Sequence, residues 1–240
     1  MTQSASSNQP EFNQSEHDIS TLLKLSRELK SIAQNGLHYS SQNGNHNVYE
    51  QERYTRILQI ASELLSVTAA VGEVDQLEWL REQGHCTPKV DVRGAVIQGD
   101  RILLVHEASS GFWTMPGGWA DLNLTAAENV EKEVWEESGY LVKATHLIAV
   151  FDRDRHPHIP HADHIYKLFF LCDLIGGEPR GSNETLGVGF FPRHDLPELC
   201  RSRVTPAQIE LAFEFAANPA RPTAFDLTTI SPDSHARSNP

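Results

Sequence analysis

Glu133, Glu136 and Glu137 lie three and four residues apart in the run VEKEVWEESGY, just after a Gly-Gly pair at Gly117-Gly118. At about 100° per residue, a helix through this run gathers all three carboxylates within an arc of roughly 100°. Like charges so placed repel by a few tenths of a kcal/mol per pair, which a plain solvated helix has no reason to keep. A divalent cation removes that cost. Hard oxygen ligands around an open coordination sphere suit Mg²⁺ or Mn²⁺, which at the same time holds phosphate oxygens.

The elements around this run say how it is positioned. Thr125 with Glu128 three residues on is a capping box that starts the helix, and Ala127, Val130 and Val134 give it an inward face. Upstream, VDVRGAVIQ and RILLVHE flank Gly99-Asp100 and read as a hairpin. Downstream, HLIAVFDR, HIYKLFFLCDLI and VGFFPR have the β-branched and aromatic content of buried strands, and Thr205-Pro206-Ala207-Gln208 opens a closing helix. Strands alternating with helices make an α/β sandwich the expected architecture.

The amino-terminal third differs. Leu22, Leu25, Leu29 and Ile32 recur at helical spacing up to Asn35-Gly36, where a helix is expected to stop. Tyr54, Ile57, Leu58, Ala61, Leu64 and Leu65 mark a second helix after the loop SSQNGNHN, and Leu77 with Leu80 a third. Three such helices bury little area alone, so they should pack on the next domain or on a second copy. The expected organisation is a disordered tail over 1–18, a helical domain over 19–84, a catalytic domain over 88–218 and a disordered tail over 219–240.

Composition limits the function classes. The chain has 240 residues, 39% of them hydrophobic, and a net charge of −12, which opposes broad binding to nucleic acid or anionic membrane. It has neither an apolar run of membrane-spanning length nor a signal-peptide start, so a cytoplasmic protein is expected. Cys86, Cys172 and Cys200 are too few and scattered for a disulfide framework or a thiolate zinc site. His156, His158, His161 and His164 crowd one segment, but its prolines and uneven spacing do not match zinc-ligand spacings.

Gly118, Glu133, Glu136, Glu137 and Gly139 fall at the spacing of the Nudix box, G-x5-E-x7-R-E-U-x-E-E-x-G-U, so the chain resembles the Nudix hydrolase family. Lys132 stands where the pattern has Arg, Leu124 where it has its first Glu, and Tyr140 at the last apolar position. NGLHYS, TPKVDVR, MPGGWAD, DRDRHPH, YKLFFLC, VGFFP and RVTPAQI extend the likeness to the subfamily with an amino-terminal helical domain, which includes CDP-choline pyrophosphatase and ADP-ribose pyrophosphatase-like proteins.

The resemblance implies a mixed-sheet α/β/α sandwich preceded by a small all-α domain, and a homodimer. It also implies Mg²⁺-dependent hydrolysis of a nucleoside diphosphate linked to another group, X. Glu133 and Glu137 are the leading metal ligands, with Glu136 beside them and the Gly118 carbonyl completing the shell. Glu137, or Glu184 in SNETLGVGFF, is the base for the attacking water. Arg93 and Arg153 are candidates for phosphate oxygens and Trp119 for stacking on a base, against structural ion pairs and packing. Asp121 is an alternative carboxylate for the position that Leu124 leaves vacant. An RNA-end pyrophosphohydrolase and a non-catalytic ligand sensor remain as alternatives.

Overall fold

The computed structural model describes residues 14–42, 48–68, 79–80 and 84–227, and they divide into two compact units. Among them, no helix is long and apolar enough to cross a membrane.

The first unit holds α1 (Gln14–Gln42), α2 (Val48–Val67) and residues 160–164. Its core joins Leu23, Ala61, Leu65, Trp79 and Ala162. Two expectations for α1 need correction. The helix runs through Asn35-Gly36 rather than stopping there, because Gly36 serves packing: a Cβ at this position would fall into the Tyr54 ring of α2. The buried stripe is Leu23, Ser26, Lys30 and Ala33, so Leu25 and Ile32 lie 46% and 50% exposed. The α2 stripe is as expected, with Ala61 and Leu65 fully buried. The third expected helix falls largely outside the described residues; Trp79 and Leu80 are helical.

The second unit is built on β1 (Lys89–Gln98), β2 (Arg101–Glu107), β3 (Trp113–Thr114), α3 (Ala126–Ser138), β4 (Tyr140–Asp152), β5 (Ile165–Gly177), β6 (Thr185–Pro192), α4 (Pro206–Ala217) and β7 (Ala224–Phe225). The strands form a seven-stranded sheet in the order β3-β2-β1-β5-β4-β7, with β6 pairing β2. It is mixed: β1 runs parallel to β5 and β4 to β7, while the other pairs are antiparallel.

Alternation along the strands sends side chains to opposite faces. Val92, Val96, Leu103, Phe170 and Cys172 pack with Val130 and Val134 of α3. Ala95, Ile102, Leu104, Phe169 and Leu171 pack with Ile209, Ala212 and Phe213 of α4. The result is the expected α/β/α sandwich. Both helices start at capping boxes, Thr125 with Glu128 and Thr205 with Gln208.

Both tails are shorter than expected where the structure describes them. α1 begins at Gln14. Residues past 219 continue onto the sheet: Thr223 donates to the Leu147 carbonyl, β7 pairs with β4, and Asp226 accepts from the Asp152 N–H.

Candidate functional site

The Gly-Gly turn is seated on β1. Gly94 N–H donates to Pro116, Val92 N–H to Gly118 and Ala120 N–H to Val90, so alternate peptides of 116–120 extend the sheet edge. The Gly117 N–H, on the opposite side of the peptide whose Pro116 carbonyl is bound to β1, donates to Glu137 Oε2 at 2.8 Å. Its φ of +144° and the overlap a Cβ would make with the Val92 carbonyl leave only glycine here. Gly118 serves space instead, because Glu133 Oε2 stands 3.0 Å from where its Cβ would be.

Behind this turn lies a buried charge triad. Asp91 and Lys167 are paired across the parallel β1–β5 register, and Lys167 Nζ reaches Asp91 Oδ1 at 2.5 Å. Arg93 grips the same carboxylate in a fork, Nε to Oδ1 at 2.9 Å and Nη2 to Oδ2 at 2.7 Å, and its Nη1 donates to the Met115 carbonyl. Burial alone would raise the Asp91 carboxyl; Arg93 and then Lys167 hold it well below its usual range. The triad thus fixes the residue that leads into the Gly-Gly turn.

The helix carboxylates separate into two environments. Glu137 is driven by burial, and secondarily by Glu133 and Glu107, up to about 7, against the opposing pull of Arg93 and the Gly117 N–H. Glu133 is also raised, first by burial. Glu136 is exposed and takes Lys132 Nζ at 2.8 Å. The three-carboxylate stripe is therefore a facing pair plus an outward member. Among the described residues, no three His, Cys, Asp or Glu side chains converge as a preformed metal cage.

The loop between turn and helix is held by contacts that sequence reasoning found only in part. Lys132 Nζ also reaches Asp121 Oδ2 at 3.1 Å, so Asp121 ties the loop to α3 where Leu124 replaces the box Glu. Asn129, buried, accepts from the Asp121 N–H at 2.7 Å and donates to the Asp121 and Thr125 carbonyls. Nothing in the sequence marked Asn129, since a helical Asn is ordinarily a weak helix former on the surface.

Several expected assignments need correction. Arg93 is 2% exposed with its fork committed to Asp91, and Arg153 is 3% exposed and donates to the Ile159 and Ser202 carbonyls, so neither offers a face to substrate. The Gly118 carbonyl accepts from Val92 N–H at 2.8 Å, which leaves its second lone pair for another partner. Trp119 is 42% exposed in the loop, as a stacking side chain requires. Glu184 is exposed on the loop before β6; its neighbour Thr185 donates to the Glu137 carbonyl.

Three histidines of this segment have partners of their own: His156 pairs with Asp226, His158 bridges Arg201 and Gln208, and His161 accepts from the Asp163 N–H. Burial pushes His158 down to about 3, which keeps its ring neutral. Glu107, at the end of β2, is a carboxylate that sequence reasoning missed. Its charge acts on both Arg93 and Glu137, and it was hidden because a single Glu closing a strand has no distinguishing pattern.

Residues 87–211 match the NUDIX domain model, and residues 20–78 match the model described as UDP-X-like, N-terminal oligomerisation domain. The Bacillus subtilis protein YjhB, provisionally named an ADP-ribose pyrophosphatase, is 38% identical over 205 residues, which is 85% of this chain and 96% of that protein. The crystal structure of an ADP-ribose pyrophosphatase from Streptococcus suis covers 58% of this chain and 100% of its own, at 40% identity and a TM-score of 0.54. The crystal structure of a UDP-X diphosphatase covers 87% and 99%, at 28% identity and a TM-score of 0.55.

Proposed function

The chain belongs to the Nudix hydrolase family, and from that premise we propose a divalent-metal-dependent enzyme that splits a nucleoside diphosphate linked to X into a nucleoside monophosphate and phospho-X. ADP-ribose is the leading substrate and a UDP-linked conjugate the next, on the names of the relatives at 38% and 28% identity. CDP-choline and other CDP-alcohols rest on the sequence resemblance alone.

One observation carries this reading. Glu133 and Glu137 face the Gly117-Gly118 turn from one helix and are both raised by burial, an arrangement that a cation relieves. The donor set is hard oxygen, which fits Mg²⁺ or Mn²⁺. Glu133 and Glu137 would hold the ion, with Glu136 joining on release from Lys132. The Gly118 carbonyl would complete the shell, since its oxygen keeps a second lone pair beside the hydrogen bond from Val92. When bound, the ion neutralises phosphoryl charge.

The chain's own groups do the rest. Glu137, with a carboxyl near 7, is poised to hold or release a proton at neutral pH, and Glu184 is the second candidate base. Trp119 offers a ring for stacking. The exposed Leu25 and Ile32 on α1, in the segment that matches an oligomerisation domain, support a homodimer built through the helical unit. A cytoplasmic location completes the proposal.

The test is a panel of ADP-ribose, a UDP-sugar, CDP-choline and a 5′-triphosphorylated RNA, incubated with Mg²⁺ and the products separated. ADP-ribose or the UDP-sugar should be cleaved to the monophosphate, chelation should abolish turnover, and Glu137→Gln should lower it about 10²–10⁴-fold. Glu184→Gln identifies the base by whether it matches that loss. A folded protein that cleaves no conjugate with Mg²⁺ or Mn²⁺ would end the proposal.

A further inference from the structure

A pyrophosphate ester brings several negative charges to a site lined by carboxylates, so a fixed cation of the protein is needed beside any metal. The obvious arginines do not supply it. Arg93 and Arg153 are buried and committed inward, and Lys132 is spent on Asp121 and Glu136.

Arg203 is placed differently. It sits in the tight turn before α4, where its N–H and that of Val204 both donate to the Cys200 carbonyl, and Val204 is fully buried. Its backbone is therefore anchored while its side chain remains 30% exposed. Nε donates to Glu107 Oε1 at 3.1 Å. Among the described residues, its two Nη groups have no partner.

Glu107 connects this arginine to the carboxylate site. The β2–β6 register shifts between His106 and Glu107, a bulge of the kind that re-aims a side chain at the end of a strand. Past the shift, Glu107 is opposite Thr185, the Ala108 N–H donates to the Glu184 carbonyl, and Thr185 Oγ1 donates to the Glu137 carbonyl at 2.8 Å. Cys200 Sγ holds the second Glu107 oxygen at 3.5 Å. A guanidinium tethered through Nε keeps the Nη1–Nη2 edge for a two-point grip on another oxyanion.

We propose that Arg203 is a phosphate-binding residue of this site, with Glu107 as the positioning residue that holds its guanidinium through Nε. The proposal deepens the pyrophosphohydrolase reading and rests on it for the identity of the phosphoryl group.

The probe is methylenediphosphonate, a pyrophosphate mimic that is not hydrolysed. Phenylglyoxal should modify Arg203 in the free protein, and the diphosphonate with Mg²⁺ should slow that modification at least tenfold, read residue by residue by mass spectrometry. Arg203→Gln should raise KM for the cleaved conjugate at least tenfold with kcat within about threefold, Arg203→Lys should recover part of the loss, and Glu107→Gln should raise KM less, with an unchanged melting temperature. Equal modification of Arg203 with and without the diphosphonate overturns the proposal, as does a KM for Arg203→Gln within twofold of wild type. Protection of Arg203 in a protein that cleaves no conjugate keeps the anion site and sinks the enzymatic reading instead.

Discussion

The two units handle polarity in opposite ways. In the sheet unit both faces are apolar, and the charges taken inside are matched: Asp91, Arg93 and Lys167 to one another and to the Met115 carbonyl, and Arg153 to the Ile159 and Ser202 carbonyls. In the helical unit Ser26, Lys30 and Gln34 are buried along α1, with Lys30 4.4 Å from the centre of the Trp79 ring, while Leu25 and Ile32 face outward. Buried charge in the first case shapes a turn that chemistry needs. Apolar surface left outside in the second is what a further copy would cover.

Breaking the triad should have the largest effect. Asp91→Ala leaves Arg93 and Lys167 buried without their carboxylate, and a loss of about 3–5 kcal/mol is expected in denaturant unfolding. Replacing all three by Leu, Met and Met should return most of that stability but not turnover, because the Met115 carbonyl then loses its anchor. Full activity in the triple variant would show that the triad is only a packing device.

Next comes the pH response of Glu137. Its folded value near 7 lies above the usual 4.5, so the unfolded chain releases this proton first. The contribution is therefore intact below about 4.5, is lost as pH rises toward 7 and stays lost above it. In metal-free protein, Glu137→Gln should raise the melting temperature at pH 7–8 relative to wild type and remove this part of the slope, and added Mg²⁺ should stabilise the wild type more than the variant. A variant no more stable than wild type at pH 8 would contradict the burial of a charged carboxylate here.

The Asp121–Lys132 tie is partly exposed and is worth less. Asp121→Asn should cost about 0.2–1 kcal/mol in wild type and less in a Lys132→Gln background, because Lys132 is then no longer there to pair with it. An equal cost in both backgrounds would place the loop's hold on Asn129 rather than on this ion pair. The smallest effect on the sheet unit is expected from Leu25→Lys with Ile32→Lys: its stability should stay within about 0.5 kcal/mol while sedimentation shifts from dimer to monomer. A dimer that survives both changes would move the interface elsewhere.

Much of the scaffold was legible because local signals and tertiary demands agree. Capping boxes at Thr125 and Thr205, the turn at Gly99-Asp100 and β-branched runs all appear where expected. The α1 stop at Asn35-Gly36 misled because glycine signals both helix ends and close approach, and only the Tyr54 ring distinguishes them. β7 is two residues long and carries no periodicity. In the candidate site, Glu133 and Glu137 were legible from spacing. Arg93 and Arg153 were misjudged because a strand Arg has the same pattern whether it faces solvent or a buried Asp.

The sequence by itself determined the helix that carries the carboxylates, its start and stop, and the glycines ahead of it, since these depend on contacts within a few residues. Only the tertiary structure decided which carboxylates face the turn, which arginines are consumed by the core and which contacts hold the altered loop. Those outcomes depend on burial and on partners from distant strands: Lys167 lies seventy-six residues from Asp91, and Arg203 ninety-six from Glu107. A charge acquires its role from what surrounds it, and that environment is assembled by the fold.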